Sequence, residues 1–193
     1  MTIYDRAIER EISEILHFTT KKGILGVIAT SCLKSRPLLN EDDYLEYVLE
    51  LNWESRPEEA ADFDKSEDWI RYVNLSVSEI NRRLFEFSMS HHADLWWGIL
   101  SFSPEILDHA GVYFTTTNNG YDACNRNVGI EGFEAMFESP VRRKHVGMQG
   151  RPWICSRSAR GTHLTTCEQA EVLYPEAVSV EYLQRIYVSE PEH

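Results

Sequence analysis

The sequence predicts one α+β domain over residues 1–193. A chain of 193 residues is long enough for one sizeable hydrophobic core and too short for two comfortable domains. Amphipathic stretches with helical spacing occur between short apolar or alternating runs that are typical of strands. Hydrophobic residues make up 42% and charged residues 26%, which is ordinary for a globular protein. We therefore expect disorder only over residues 189–193.

The start of the chain is predicted to form a helix, a strand and a second helix. Apolar residues about one turn apart favour a helix over residues 2–14, and His17 alternates with apolar neighbours in a strand over residues 15–19. Thr20 can cap the next helix, over residues 21–30. His17 thus lies where a strand meets a helix start, a junction that favours an anionic or amide ligand. A core histidine with satisfied hydrogen bonds is the alternative.

The middle of the chain is predicted to place a loop arginine before a series of strands and helices. A helix over residues 41–52 ends before Pro57, which leaves Arg56 in an extended loop. Arg56 could clamp a pyrophosphate or pair with a nearby acid. The patterns then predict a strand over 72–77, a helix over 79–89, a strand over 96–102, a short helix ending near 109–111, a strand over 112–116 and a turn over 117–120.

The last part of the chain is predicted to contain short elements around one buried strand. In order, they are a helix over 130–137, a strand over 152–155, a strand over 172–174, a helix over 178–183 and a strand over 186–188.

Gln169 and Glu171 stand at the head of the strand over residues 172–174. Residues two apart in a strand point to the same face, so both side chains are expected to project into one cleft. An amide and a carboxylate side by side suit a sugar. The amide can orient the substrate, and the carboxylate can grip a ribose hydroxyl, stabilise positive charge on the ring or accept a proton. Two solvated polar residues at an ordinary strand start are the alternative.

The net charge of −12 argues against a protein that coats nucleic acid, but the charge is unevenly distributed. Residues 139–167, the basic segment, contain no acid and lead directly to Gln169 and Glu171. Arginines interleaved with Trp153 suit a single strand of nucleic acid, because bases stack on aromatic rings and phosphates meet guanidinium groups. A solvated basic loop is the alternative. The cations of the segment are Arg142, Arg143, Lys144, Arg151, Arg157 and Arg160.

Cysteine usage and the absence of other motifs narrow the class of protein. Cys32, Cys124, Cys155 and Cys167 have no close pairing, and the chain shows no signal peptide and no apolar run of membrane length. We therefore expect free thiols, a cytoplasmic protein and no membrane partner. No metal is expected, because Cys155, His163 and Cys167 lack the close paired spacing of zinc ligands. P-loop, Rossmann glycine and nucleophile-elbow motifs are also missing.

Four segments in the right order resemble the DarT family of toxins, which transfer ADP-ribose from NAD to bases in single-stranded DNA. They are His-Phe-Thr at 17–19 before an apolar helix, Arg56 between a helix and a strand, Tyr-Phe-Thr-Thr-Thr-Asn-Asn at 113–119, and Gln-Ala-Glu-Val-Leu at 169–173. The resemblance implies an ADP-ribosyltransferase-like fold, with central split or mixed β-sheets flanked by helices.

The resemblance also implies roles for the matching residues. Glu171 and Arg56 would be catalytic, and the sequence leaves open whether Arg71 or Arg83 shares the role of Arg56. NAD would be the co-substrate, without a metal, and the partners would be single-stranded DNA and an antitoxin that reverses the modification or masks the toxin. Contacts to NAD would come from His17, Phe18, Thr19, Arg56, Asn119 and Gln169, and contacts to DNA from Trp153, Arg157, Arg160 and His163.

One departure from the family bears on the target base. The thymine-modifying branch has a proline-rich stretch where this chain has Ser-Glu-Ile-Asn-Arg-Arg at residues 78–83. The chain therefore resembles the guanine-modifying branch more closely, and guanine is the expected base. Two other interpretations stay open: an ADP-ribosyltransferase that acts on RNA or protein, and a non-catalytic nucleic-acid-binding module with a vestigial cleft.

Overall fold

A computed structural model describes residues 1–40, 69–144 and 151–188 of the chain. The predicted helix over residues 41–52 and Arg56 lie outside these ranges. The helices are α1 (Ile3–Glu9), α2 (Lys21–Thr30), α3 (Arg36–Asn40), α4 (Arg82–His91) and α5 (Gly129–Ala135). The strands are β1 (Ile15–Thr20), β2 (Cys32–Lys34), β3 (Tyr72–Val77), β4 (Trp97–Phe102), β5 (Tyr113–Thr115), β6 (Arg126–Val128), β7 (Val141–Lys144), β8 (Trp153–Cys155), β9 (Val172–Pro175), β10 (Ala177–Ser179) and β11 (Leu183–Val188). Single 3-10 turns form at Trp69–Arg71, Pro104–Asp108 and Val180–Tyr182.

One large antiparallel sheet organises the described residues, with the strand order β11-β4-β1-β3-β9-β5-β6. The two neighbours of the central strand β3 pair with different parts of it. Ser76 and Val77 pair with β1, whereas Tyr72 to Leu75 pair with β9. The ladder between β1 and β3 therefore ends just before His17, and this discontinuity lies beside the candidate site. Strands β10 and β2 form a small separate sheet, as do β7 and β8.

The hydrophobic core lies on one face of the sheet. Along β3 the side chains of Val73, Leu75 and Val77 are buried, while the alternating residues are more exposed, as the period of a strand requires. Helix α5 packs on this face, where Phe133 contacts Phe114 of β5 with ring centroids 5.7 Å apart. The opposite face of β3 carries the polar side chains of Tyr72, Asn74 and Ser76. The α+β class expected from the sequence is confirmed.

The first helix is shorter than predicted. It begins as expected at Thr2, whose side chain accepts from the Asp5 N–H while the Asp5 carboxylate accepts from the Thr2 N–H in a capping box. It ends at Glu9, not at residue 14, because Glu11 takes a left-handed backbone conformation with φ of 63°. This turn directs Ile12, which is 1% exposed, into the core.

The predicted helix over residues 178–183 is wrong. Residues Ala177–Ser179 form β10, which pairs with β2, and only one 3-10 turn follows before β11 begins. Val178 is fully buried between more exposed neighbours, which is the burial pattern of a strand. No pattern along the chain indicated β2, the partner that makes this stretch a strand, so a helix was predicted here instead.

The remaining predicted elements are found with small shifts of their ends. Thr20 caps α2 by accepting from the Gly23 N–H at 3.3 Å, as expected. Helix α4 starts later than residue 79 because Asn81 is its cap and accepts from the Leu84 N–H at 3.2 Å. All four cysteines are free thiols. Within the described ranges, none of the helices has the length and apolar character needed to cross a membrane.

Candidate active site

Glu171 lies immediately before β9, where main-chain and side-chain hydrogen bonds tie it to β5. Its N–H donates to Thr115 Oγ1 at 2.9 Å, and its carbonyl accepts from the Thr115 N–H at 2.9 Å. Thr115 is fully buried, and its hydroxyl donates to the carbonyl of Thr117 at 2.7 Å. One threonine therefore joins the start of β9 to the turn that follows β5, which we call the asparagine turn (residues 117–120).

The asparagine turn holds both oxygens of the Glu171 carboxylate. Oε1 accepts from Asn118 Nδ2 at 3.3 Å, and Oε2 accepts from the Asn119 N–H at 2.7 Å. The side chain is half-buried, so it is directed to polar donors rather than into the hydrophobic core. With one donor on each oxygen, the turn fixes the orientation of the carboxylate.

Arg126 of β6 fixes the asparagine turn from its other side. Its Nε donates to Asn119 Oδ1 at 2.6 Å, its Nη2 donates to the Asn119 carbonyl, and its Nη1 donates to the Cys124 carbonyl at 3.2 Å. The guanidinium also lies 5.8 Å from the centre of the Trp69 ring. Burial raises the pKa of the neighbouring Cys124 thiol to about 11, which keeps this thiol protonated at neutral pH.

Sequence reasoning missed Arg126, although a signal was present. The Asn-Gly pair at residues 119–120 is common hairpin chemistry, and a hairpin requires a return strand after the turn. That strand is β6, in which Arg126 lies directly opposite Thr115. Asn119 was expected to contact a ligand. In the structure it is 3% exposed, and its amide oxygen accepts from Arg126.

His17 lies at the discontinuity of the sheet, where its ring reaches β3. Its Nδ1 is 2.9 Å from the Asn74 carbonyl, which can only accept, so Nδ1 carries the proton. Burial lowers the pKa of the imidazole, opposed in part by this hydrogen bond. The neutral ring therefore leaves Nε2 as an acceptor, which suits a ligand hydroxyl.

The two residues after His17 fit closely into their surroundings. The Phe18 ring contacts Phe85 of α4 at 5.1 Å and Trp97 of β4 at 6.1 Å between centroids. Thr19 is 8% exposed, and a Cβ added at Gly23 would lie 2.1 Å from its hydroxyl oxygen. Glycine at 23 thus allows α2 to begin directly over the Thr19 side chain.

Strand β3 separates His17 from Glu171. His17 on β1 contacts β3 from one side, and Glu171 precedes β9 on the other side. Neighbouring strands are about 4.8 Å apart, so the backbones of these two residues are separated by roughly 10 Å across the sheet. A dinucleotide is long enough to contact both. Of the arginines named as candidates to share the role of Arg56, Arg71 pairs with Glu176 at 3.3 Å, and Arg83 is exposed on α4.

Gln169 does not occupy the strand position predicted for it. Strand β9 begins at Val172, so Gln169 and Glu171 both precede it, and the alternation of a strand does not apply to them. Gln169 lies in a turn and is 7% exposed. Its Oε1 has no hydrogen-bond partner in the described part of the chain, so an acceptor is buried near Glu171 without an assigned donor.

Two arginines of the basic segment bond to the segment itself. Arg157 donates to the carbonyls of Leu164 at 2.6 Å and Gly161 at 2.7 Å. Arg160 donates to the Thr165 carbonyl and forms an ion pair with Glu79, which is far away in sequence. Burial lowers the pKa of the Arg157 guanidinium, and the nearby charges of Arg10 and Arg160 act in the same direction.

The rest of the basic segment exposes an aromatic ring. Trp153 of β8 is 39% exposed, and the guanidinium of Arg143 lies 4.2 Å from its ring centre. Arg143 is 6% exposed, and its Nε has no partner among residues 1–40, 69–144 and 151–188. His163 is half-buried beside Gly161. Within those same ranges, no group of three or more histidine, cysteine and acidic side chains could hold a metal ion.

The fold and the site together define a mixed α+β protein with a carboxylate held by a turn at the end of a large antiparallel sheet. A family model described as "ssDNA thymidine ADP-ribosyltransferase, DarT" matches residues 16–193. The chain belongs to this family. The prediction that the chain belongs to a family of DNA ADP-ribosyltransferases is therefore confirmed.

Two solved structures share the fold at low sequence identity. Thermus sp. 2.9 DarT in complex with ADP-ribosylated ssDNA matches with a TM-score of 0.56 and 14% identity, over 94% of this chain and 83% of that chain. Thermosipho africanus DarTG in complex with ADP-ribose matches with a TM-score of 0.51 and 14% identity, over 92% of this chain. The present chain spans 44% of that DarTG chain. No match was found among curated proteins.

Proposed function

We propose that the chain transfers ADP-ribose from NAD to a base of single-stranded DNA, with Glu171 as the catalytic carboxylate. The observation that carries the proposal is the half-buried carboxylate held by the Asn118 amide and the Asn119 N–H at the head of β9. Preorganised groups of this kind stabilise charge that develops in a transition state without having to reorganise. In the proposal, the large sheet is the split sheet of an ADP-ribosyltransferase.

The proposed reaction exchanges one glycosidic bond for another. The bond between C1 of the ribose and the nicotinamide nitrogen breaks, and nicotinamide leaves as a neutral molecule with the electron pair. The ribose passes through an oxocarbenium-like state, which the negative charge of Glu171 stabilises. A nitrogen of the DNA base attacks this carbon, and the proton that it loses passes to Glu171 and then to solvent.

NAD is proposed to lie across β3, between His17 and Glu171. The Nε2 of His17 would accept from a ribose hydroxyl on the adenosine side, since Nδ1 donates to the Asn74 carbonyl. Thr19 and the backbone near it would orient the nicotinamide, and Phe18 would support β1, the strand that carries Thr19. The Oε1 of Gln169, which has no hydrogen-bond partner among the described residues, is suited to accept from an amide or hydroxyl of the substrate. Arg56 would offset the charge of the pyrophosphate.

Single-stranded DNA is proposed to bind along the basic segment. Trp153 is the base-stacking residue, because its ring is exposed and supported from behind by Arg143. Arg157 and Arg160 contribute by shaping the loop, with His163 beside them, rather than by binding phosphates through groups that already bond to carbonyls and Glu79. A single strand presents its bases without a duplex to open.

Guanine is the proposed target base. This choice depends on residues 78–83, which replace the proline-rich stretch of the thymine-modifying branch. Thymine is the alternative, because the description of the family model names thymidine.

The test is an incubation with NAD and a set of oligonucleotides that each lack one base, followed by mass spectrometry. We expect an ADP-ribose adduct on every oligonucleotide except the one without guanine, and none with Glu171→Ala. An adduct lost only without thymine would identify thymine as the target. Parallel assays with RNA and protein as acceptors distinguish DNA modification from the alternative enzyme, an ADP-ribosyltransferase that acts on RNA or protein. Absence of NAD binding in calorimetry would favour a non-catalytic module and contradict the proposal.

An antitoxin that removes the ADP-ribose or masks the toxin is proposed as a partner. The support is the match to a chain named DarTG, of which the present chain spans 44%. The place of action would be the cytoplasm, where NAD and DNA are both present. Growth arrest on expression of the chain, relieved by Glu171→Ala, would support toxicity, and growth unaffected by the active chain would contradict it.

A further inference from the structure

We propose that Arg126 is a positioning residue that acts on Glu171 through Asn119. The chain of contacts is continuous: the Arg126 guanidinium binds Asn119, and the Asn119 N–H binds Glu171 Oε2 at 2.7 Å. The consequence for catalysis rests on the proposed function, whereas the positioning itself can be tested without it.

The guanidinium bonds to the side chain and to the main-chain carbonyl of Asn119, the residue that carries the critical N–H. Nε binds the Asn119 amide oxygen at 2.6 Å and Nη2 binds the Asn119 carbonyl, so both the side chain and the main chain of Asn119 are fixed. Nη1 reaches the Cys124 carbonyl at 3.2 Å, which closes the loop from residue 119 to residue 124. A planar fork of donors can make these bonds simultaneously, whereas an ammonium group offers one point charge.

Within the described ranges, the other hydrogen bonds of the asparagine turn hold Thr117 and Asn118 rather than the carbonyl or amide oxygen of Asn119: the Thr117 carbonyl accepts from Thr115 at 2.7 Å, and the Asn118 carbonyl accepts from the Tyr121 N–H at 3.0 Å. Asn118 contributes a longer contact of 3.3 Å to Oε1, and its own Oδ1 accepts from the Gly120 N–H. Without Arg126, the amide oxygen and carbonyl of Asn119 would lose their shared donor, and the turn could rotate its N–H away from the carboxylate. A misplacement of about 1 Å in a catalytic group can reduce a rate by about a hundredfold.

The experiment compares Arg126→Lys and Arg126→Gln with Arg185→Gln as a matched control. Arg185 is exposed on β11, at the opposite edge of the large sheet from β6, so its replacement removes the same charge far from the site. Hydrogen exchange of the Asn119 amide is followed by NMR on the full chain. In parallel, kcat and KM for NAD are measured in the transfer reaction on single-stranded DNA, and thermal unfolding verifies that each variant is folded.

For Arg126→Gln we expect Asn119 amide exchange to rise at least about tenfold, because its bond to Glu171 opens. The kcat is expected to fall about 10- to 100-fold while KM for NAD stays within about threefold, since the lost interaction serves the transition state. Arg126→Lys should lie between the wild type and Arg126→Gln in both measurements. Arg185→Gln should match the wild type.

Two results would overturn the inference: an Asn119 amide that stays protected in Arg126→Gln, or an exposed amide with unchanged kcat. If Arg126→Gln does not fold, an Arg126→Lys variant with wild-type exchange and kcat would overturn it equally. If the wild type transfers no ADP-ribose, the proposed function fails. In that case hydrogen exchange still tests whether Arg126 positions Asn119. Both Arg126→Gln and Glu171→Ala are then expected to break the bond of the Asn119 N–H to residue 171 and to raise the exchange rate of this amide.

Discussion

The asparagine turn and the basic segment both depend on arginine, but they use it differently. In the asparagine turn, Arg126 organises a few residues around the acidic group of Glu171, which stays half-exposed. In the basic segment, Arg157 and Arg160 bond inward to their own loop and to Glu79, while Arg151 is exposed to solvent. A count of cations in the sequence therefore overstates the positive surface that a polyanion can reach. Some of these cations build the loop on which the others are presented.

The largest effect expected from this comparison concerns the acidic group at the centre of the turn. Glu171→Gln keeps the shape of the side chain and removes its charge, so we expect the rate of ADP-ribose transfer to fall at least about a hundredfold, roughly 3 kcal/mol. Single-turnover transfer of labelled ADP-ribose to an oligonucleotide measures it. Glu168→Gln removes a carboxylate three positions earlier and should keep the wild-type rate. Equal losses in both variants would contradict a special role for Glu171.

The next effect tests whether the inward arginines are structural. Arg160→Gln removes the partner of Glu79 and the donor to the Thr165 carbonyl, both partly buried. We expect the free energy of unfolding to fall by about 1–3 kcal/mol. Chemical denaturation measures this, with Arg151→Gln as the control from the same segment. A stable Arg160→Gln variant that simply loses DNA affinity would instead return Arg160 to the DNA-binding role expected from the sequence.

The sequence predicts those parts of the candidate site that depend on local patterns, and it does not predict contacts that only the fold creates. His17 and Glu171 could be proposed as site residues from the sequence, because strand ends and a polar residue beside an apolar run are local patterns. The partners of Arg157 and Arg160 were not, because a hydrogen bond to a loop carbonyl leaves no trace in composition. The pair Arg160 and Glu79 joins residues 81 positions apart, and only the fold brings them together.

The strands of the fold also differ in how well local sequence patterns predict them. Strands with strong apolar runs, such as β1, β4 and β9, were predicted nearly to the residue, because the apolar residues of each segment are enough to indicate a buried strand. The short strands β2 and β10 were missed or taken for a helix. They exist because Val178 pairs with Leu33, a contact between segments far apart in sequence. Propensity is a weak guide for segments of three residues, where tertiary pairing decides.

A smaller effect is expected at the exposed ring of the basic segment. Trp153→Ala removes a surface for base stacking, so affinity for single-stranded DNA should fall by about 1–2 kcal/mol, roughly 5- to 30-fold in Kd. Fluorescence anisotropy with a labelled oligonucleotide measures it, and Trp153→Phe should recover part of the loss. Because the ring is 39% exposed, stability should change little. Unchanged affinity would show that DNA follows another path.

The smallest effect is expected in the salt dependence of DNA affinity. It distinguishes exposed arginines from those that bond to their own loop. Each phosphate neutralised on a single strand contributes about 0.7 to the slope of log Kobs against log salt, because a condensed counterion is released. Arg151→Gln should therefore reduce the magnitude of the slope by about 0.7, with a loss of affinity of only a few fold at moderate salt. Arg157→Gln should leave the slope unchanged, because its guanidinium serves the carbonyls of Gly161 and Leu164. Equal slope changes in the two variants would mean that DNA draws Arg157 out of its loop, and the contrast between inward and exposed arginines would then hold only for the free protein.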